Sequence, residues 1–132
     1  MKKSEPKTPK VKKARKLPAQ IALAIEAAEA KQAVNLVALD LRKTAGFTDF
    51  FIIASGTNTR QVRAIADAVI DSLAAKGVKP AFVEGYDRSV WILLDYFDFI
   101  VHVFGPETRV FYDLERLWGN AERIEVGATS PT

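Results

Sequence analysis

The segment from residue 50 to residue 73 restricts the fold of this chain more than any other part of its sequence. Residues 50–54 are apolar without alternation, which predicts a central strand covered on both faces. A turn follows at residues 56–58, where Asn58 and Gln61 have the spacing of a helix capping box. The next segment carries one apolar stripe at helical spacing, formed by Val62, Ile65, Ala66, Val69, Ile70 and Leu73. A strand, a turn and an amphipathic helix in succession predict an α/β protein.

The flanking segments extend this unit to a sheet. Ile21, Ala24 and Ile25 recur at helical spacing, and a strand rich in branched residues follows at residues 33–40. Beyond Gly77, which predicts a helix stop, three short strands are predicted at residues 81–84, 90–95 and 99–104. Their short links predict an antiparallel meander.

The last helix is predicted to begin at Pro106, because proline is favoured at the first helical position. Its predicted buried stripe consists of Val110, Phe111, Leu114, Leu117 and Trp118. The element order α-β-β-α-β-β-β-α therefore predicts a mixed five-stranded sheet flanked by helices.

Composition removes several classes of function. The 132 residues suit one domain, and no run of eighteen apolar residues is present. The chain has no cysteine, which excludes disulfide scaffolds, thiolate metal sites and cysteine nucleophiles. His102 is the only histidine, so a histidine metal cluster is not expected.

The net charge of +3 is divided unevenly along the chain. Residues 1–16 hold eight basic side chains and one acidic one, whereas the remainder holds 11 basic and 15 acidic side chains. Residues 1–17 are predicted to be a disordered basic tail, 18–126 the folded domain and 127–132 a frayed end. The tail either is a solvated extension, which we favour, or attracts RNA phosphates.

Two patterns in the sequence could carry chemistry. The loop at residues 55–60 joins a strand to a helix, so Arg60 and Arg63 could assist an anion there; a plain helix cap is the favoured interpretation. Nucleotidyltransferases need two carboxylates at alternate positions of one strand, whereas Asp113 and Glu115, which have that spacing, fall in the last predicted helix. No catalytic residue, metal ligand or cofactor is therefore predicted.

The strand at residues 90–95 presents two different faces. Val90, Ile92 and Leu94 form a core face, while Trp91, Leu93 and Asp95 form the other. If that second face is covered, Trp91 is a packing residue; if it is open, the indole is a large anchor beside an acidic and aromatic group. That group consists of Glu84, Tyr86 and Asp87. Asp95 and Asp98 bracket a turn, where aspartate commonly bonds backbone N–H groups; contact with a partner is the second interpretation.

Several ordered motifs resemble the ribosomal silencing factor family, also called Iojap-like. They are Thr48-Asp-Phe-Phe-Ile-Ile-Ala-Ser-Gly-Thr, Arg60-Gln-Val-Arg-Ala-Ile-Ala-Asp, Glu84-Gly, Trp91-Ile-Leu-Leu-Asp, Asp98-Phe-Ile-Val-His-Val-Phe and Arg109-Val-Phe-Tyr-Asp-Leu-Glu-Arg-Leu-Trp. The likeness covers residues 19–122. It implies a nucleotidyltransferase-like α/β fold without the catalytic carboxylates.

The resemblance also implies a function. Family members bind the large ribosomal subunit through its ribosomal protein fourteen, block joining of the small subunit and repress translation in starvation or stationary phase. The family's contact tryptophan matches Trp91, with Glu84, Tyr86, Asp87, Asp95 and Asp98 expected as neighbours. A cytoplasmic protein is expected, an organellar one less so, and a homodimer fits the resemblance. The alternatives are a residual nucleotide-binding protein acting at residues 56–63 and a general RNA-binding protein acting through the tail.

One position departs from the family pattern. The family's turn has glycine where this chain has Phe97, between Asp95 and Asp98. Glycine adopts a positive φ at little cost and phenylalanine does not, so the turn type is expected to differ.

Overall fold

Six strands pair into one sheet in the computed structural model, which describes residues 17–126. The strands are β1 (Val34–Asp40), β2 (Phe50–Ser55), β3 (Phe82–Glu84), β4 (Trp91–Asp95), β5 (Phe99–Phe104) and β6 (Glu122–Glu125). Their order across the sheet is β3-β4-β5-β2-β1-β6. The central pair β2 and β5 runs parallel, and every other neighbouring pair is antiparallel. The predicted meander of β3, β4 and β5 and the mixed α/β class are confirmed.

Two helices, α1 (Ala19–Ala30) and α2 (Thr59–Ala74), cover one side of the sheet, which we call the helix face. The predicted stripe of α2 is buried there, apart from the half-buried Ile70. All six residues of β2 are buried, as predicted for a central strand. Burial of this single stripe is what orients α2 on the sheet, because its other side is polar.

The opposite side, which we call the open face, is covered only in part. A second apolar cluster joins β1, β2 and β5 to Leu114, with Trp91, Leu93 and Trp118 packed at its margins. The covering elements are short: α3 (Pro106–Tyr112) and α4 (Leu114–Leu117). They leave the β3–β4 end of this face without a helical layer, so side chains there are partly exposed.

The predicted buried stripe of the last helix is wrong at three positions. Val110 and Phe111 are each 78% exposed and Leu117 is 71% exposed, while Leu114 is buried. The helix breaks at Asp113, which has a left-handed backbone with φ +47°. The inward position of α3 is instead taken by Arg109, which is 9% exposed and has polar partners.

The sheet has one strand more than predicted. Strand β6 pairs antiparallel with β1, and its sequence offers only Ile124 as a buried residue. A four-residue polar strand has no apolar alternation by which it could be recognised. Val90, predicted as core, is 41% exposed and precedes β4. The predicted basic tail, apart from Leu17, and the predicted frayed end lie outside the described residues.

Candidate partner-binding site

Strand β4 places Trp91 on the open face. Ile92 and Leu94 point to the helix face and are fully buried, as predicted for the core side of this strand. Trp91, Leu93 and Asp95 alternate with them and are each half-buried. The face is therefore neither fully covered nor fully open, and the indole of Trp91 packs on one side while it meets solvent on the other.

Two aromatic rings and one histidine nitrogen contact the indole. The ring of Trp91 lies 5.0 Å from Phe104 and 4.6 Å from Tyr112, measured between centroids. Its Nε1–H donates to Nδ1 of His102 at 3.1 Å. These contacts hold a large aromatic side chain in one place, which is how an anchor residue contributes to an interface.

His102 is a buried neutral imidazole. It lies on β5 between Ile53 of β2 and Leu93 of β4, and it is 4% exposed. Burial lowers the pKa of His102 to about 3, because the charged ring would lose its hydration. Its ring meets Phe51 edge to face, with 4.5 Å between centroids. The imidazole therefore stays neutral near neutral pH and carries a single ring proton.

Strand β3 widens the partly exposed area beside Trp91. Glu84 pairs with Leu93 and Phe82 pairs with Asp95, so both side chains lie on the open face. Phe82 is 57% exposed, although the sequence analysis did not single it out. We call Phe82, Glu84, Trp91, Leu93 and Asp95 the β4 strip. Phe82 could have been found from the alternation of side chains along the paired strands β3 and β4. No pattern near Tyr112 in the sequence indicates that it contacts Trp91.

The loop between β3 and β4 is fixed to helix α2. Tyr86 donates its hydroxyl to Asp67 at 2.9 Å, and this hydrogen bond raises the pKa of the phenol. The Arg63 guanidinium lies 5.5 Å from the Tyr86 ring centroid and donates to Ser89 Oγ at 3.0 Å. Tyr86 thus faces the helix side of the sheet, while Asp87 is exposed.

Gly85 shows how closely this loop approaches β4. Its φ is +80°, and a Cβ atom there would stand 2.0 Å from the carbonyl oxygen of Trp91. No side chain can be accommodated at that distance, so the position requires glycine. The loop is thereby set directly against the backbone of Trp91.

Asp95 and Asp98 lie at the other end of β4. Asp95 Oδ1 accepts a hydrogen bond from the Phe97 N–H at 2.8 Å, which confirms the turn interpretation for Asp95. Phe97 has φ +83°, and the Asp98 N–H donates to the Tyr96 carbonyl at 2.9 Å, the pattern of a γ-turn. Phe97 is 76% exposed and Asp98 is exposed.

Two backbone donors at the start of α2 are satisfied by side chains of the same segment. Asn58 Oδ1 accepts from the Gln61 N–H at 2.8 Å, and Gln61 Oε1 accepts from the Thr57 N–H at 2.7 Å. The predicted cap is therefore confirmed. Arg60 is exposed, and Arg63 is bound to the loop after β3. The structure does not bring either arginine to the β4 strip.

A cavity of about 620 Å³ opens between α3 and β1, away from the β4 strip. Arg109 lies in its wall and donates to Glu115 at 2.7 Å and to Ser55 Oγ at 2.9 Å. Burial opposes ionisation of Glu115, but ion pairs with Arg109 and Arg123 keep the pKa of Glu115 below its ordinary value. Asp113 and Glu115 therefore serve a helix break and an ion pair rather than a strand-borne metal site.

Residues 17–126 contain no group of three or more His, Cys, Asp and Glu residues that could hold a metal ion. No helix in that part of the chain is long and apolar enough to cross a membrane.

A family model and individual relatives point to the same protein family. The model of the family described as "Ribosomal silencing factor during starvation" matches residues 14–132. The ribosomal silencing factor of Halalkalibacterium halodurans is 38% identical over 104 residues, covering 79% of this chain and 89% of that protein.

A solved structure and a more distant relative extend the comparison. A crystal structure of a Chromobacterium violaceum protein has a TM-score of 0.75 at 37% identity, over 86% of this chain and 95% of that one. A mouse protein named for mitochondrial assembly of the ribosomal large subunit is 35% identical over 75 residues, covering 54% of this chain and 33% of that protein.

Proposed function

The chain belongs to the ribosomal silencing factor family, and on that premise we propose that it binds the large ribosomal subunit through ribosomal protein fourteen. Bound there, it occupies space that the small subunit needs and so blocks subunit joining. The β4 strip is the contact surface, with Trp91 as its anchor. The protein acts in the cytoplasm during starvation or stationary phase and turns over no substrate. Association with the large subunit is supported by the name of the mouse relative.

One observation carries this proposal: aromatic side chains on the open face are left partly uncovered along β4. Phe82, 57% exposed, lies opposite Asp95 at one end of β4, and Tyr112, 47% exposed, packs on the half-buried Trp91 at the other. Exposed apolar area collected on one face marks interaction sites in soluble proteins. Trp and Tyr are also the residue types that dominate binding energy in interfaces.

Charge around the strip favours a basic partner. Glu84 lies within it, and Asp87 and Asp98 are exposed at its two ends. The chain beyond residue 16 has 11 basic and 15 acidic side chains. Complementary charge steers encounter and fixes orientation, so an acidic rim suits a basic ribosomal protein better than bare RNA.

The geometry is unfavourable for the nucleotide-binding alternative. In a phosphate site the loop before a helix offers free N–H groups to the anion. Here the Thr57 N–H and the Gln61 N–H donate to side-chain oxygens of the same loop. Arg63, one of the two arginines predicted to assist an anion, is engaged with Ser89 and Tyr86. Phosphate would have to displace these contacts.

Co-sedimentation with purified large subunits tests the contact surface. Trp91→Ala should weaken binding about 30-fold or more, the loss expected for an anchor worth roughly 2 kcal/mol. Trp118→Ala is the matched control, because Trp118 is a half-buried indole on the same face that packs on Phe47 and Phe51. The control should lose comparable stability and keep its affinity. Equal affinity of the two variants for large subunits would show that Trp91 is not part of the interface.

Charge reversal tests the electrostatic part separately. Glu84→Lys should slow association with large subunits, and the difference from the wild type should shrink as salt is raised. Glu26→Lys, on an exposed position of α1 on the other side of the sheet, should leave the association rate close to that of the wild type. A rate lowered equally by both substitutions would contradict a localised acidic rim.

A further inference from the structure

His102 carries a buried polar atom that folding leaves without a partner. Its Nδ1 accepts the Trp91 indole proton at 3.1 Å, so the proton of the neutral ring is on Nε2. Nε2 is buried and has no hydrogen-bond partner among the described residues. Phe51 and Phe104 meet the ring and offer no acceptor.

A buried donor without an acceptor is unfavourable for folding, and most buried polar groups avoid this state. An apolar residue of similar size would fill the same space without it. The contacts of the imidazole therefore do not explain its presence through stability. What histidine provides here, and an apolar side chain does not, is the Nδ1 acceptor for Trp91.

That acceptor determines how the indole lies. The flanking rings of Phe104 and Tyr112 are tilted 33° and 43° from the indole plane, so stacking alone leaves its rotation loosely defined. A single directional hydrogen bond selects one orientation. An anchor held in its bound orientation loses less entropy on association.

We propose that His102 is a positioning residue for partner binding: it holds the Trp91 indole in the orientation that the ribosomal partner requires. The inference rests on the proposed function, in which Trp91 is the anchor. Its distinctive consequence is that affinity and stability respond in opposite directions to substitution at residue 102.

Two variants separate positioning from packing. His102→Leu keeps a buried side chain of similar volume and removes both the acceptor and the unpartnered donor. Its unfolding midpoint should equal or exceed that of the wild type, while its affinity for purified large subunits falls about tenfold. His102→Asn keeps an oxygen near the position of Nδ1 but leaves a smaller, more polar side chain in the core. It should unfold more readily and bind within about threefold of the wild type.

The indole N–H signals in NMR report the mechanism directly. In the wild type and His102→Asn, the Trp91 Nε1–H should exchange slowly with water; in His102→Leu it should exchange faster. The Trp118 indole serves as the internal reference, because the rings that pack on it among the described residues are those of Phe47 and Phe51 and not that of His102. A purely structural role would not move one indole proton while leaving the other unchanged.

The outcomes distinguish this inference from the function on which it rests. Full affinity in His102→Leu, or affinity that follows stability in both variants, would overturn the positioning role while Trp91→Ala still tests the interface. Wild-type binding by Trp91→Ala would overturn both proposals together.

Discussion

The backbone of Phe97 is strained, and the turn that it occupies does not need a phenylalanine side chain. Its φ of +83° lies in the region that favours glycine, and 76% of its surface is exposed, so little burial compensates for the conformation. The turn is held by Asp95 Oδ1 and by the bond from Thr48 Oγ1 to the Phe97 carbonyl at 3.0 Å. These bonds use the backbone of residue 97, and glycine would keep them.

Phe97→Gly should therefore stabilise the fold. Left-handed backbone costs a residue with a side chain roughly 1–2 kcal/mol, and the greater freedom of glycine in the unfolded chain offsets part of that. We expect a net gain of about 0.5–1 kcal/mol in the free energy of unfolding, measured by urea denaturation. Phe97→Ala is the control, because alanine retains the backbone strain. A loss of stability in the glycine variant would show that the phenyl ring packs in solution.

His102 makes the stability of the domain depend on pH. Its pKa is about 3 in the folded state against an ordinary value of 6.5, so the unfolded chain binds the proton first as pH falls. The free energy of unfolding is therefore unaffected by this proton above pH 6.5 and falls progressively as the pH drops toward 3. This one group should add a slope of up to about 1.4 kcal/mol per pH unit in that window.

Urea unfolding at a series of pH values from 7 down to about 4.5 measures that slope, in the window set by the histidine. The His102→Leu variant should lack it and retain only the dependence due to carboxylates. An identical pH profile in the two proteins would mean that the imidazole reaches solvent and titrates normally in the native state.

At the scale of elements, prediction from sequence worked where the signal was local. The β2–α2 unit was correctly predicted because its apolar run, cap and stripe all lie within neighbouring residues. The α3–α4 segment was mispredicted because Arg109, not an apolar residue, points inward. Its partner Ser55 lies 54 positions earlier in the chain, so no periodicity in the segment contains that information. The exposure of Trp91 could not be predicted from sequence either, because it depends on where α3 ends and places Tyr112 against the indole.

The helix break gives a direct test of this arrangement. Leu114→Ala should lower the free energy of unfolding by about 2–3 kcal/mol, because Leu114 is 9% exposed and packs in the open-face cluster. Phe111→Ser should change it by less than about 0.5 kcal/mol, since Phe111 is 78% exposed. Chemical denaturation of both variants measures the difference. A larger loss of unfolding free energy in Phe111→Ser than in Leu114→Ala would support the continuous buried stripe that the sequence predicts.

Over the whole molecule, the uneven distribution of charge distinguishes two modes of ribosome binding, one through the β4 strip and one through the basic residues 1–16. The first sixteen residues have seven more positive than negative charges, and the rest of the chain has four more negative than positive. If the β4 strip makes the main contact, the basic residues contribute only a general attraction to rRNA phosphates.

Removing residues 1–16 should then weaken binding to large subunits about threefold at moderate salt, with a shallower dependence on salt concentration. Co-sedimentation across a salt series measures both quantities. The β4 strip is left intact by the deletion and supplies the remaining affinity. Complete loss of binding would instead favour the general RNA-binding alternative.

Steric exclusion of the small subunit is the central claim, and subunit joining is its most direct measurement. Purified large subunits are preincubated with the protein, small subunits are added, and joined particles are followed by light scattering. The wild type should reduce joining in proportion to its occupancy of the large subunit, and Trp91→Ala should not. Undiminished joining with saturating wild-type protein bound to the large subunit would contradict the account.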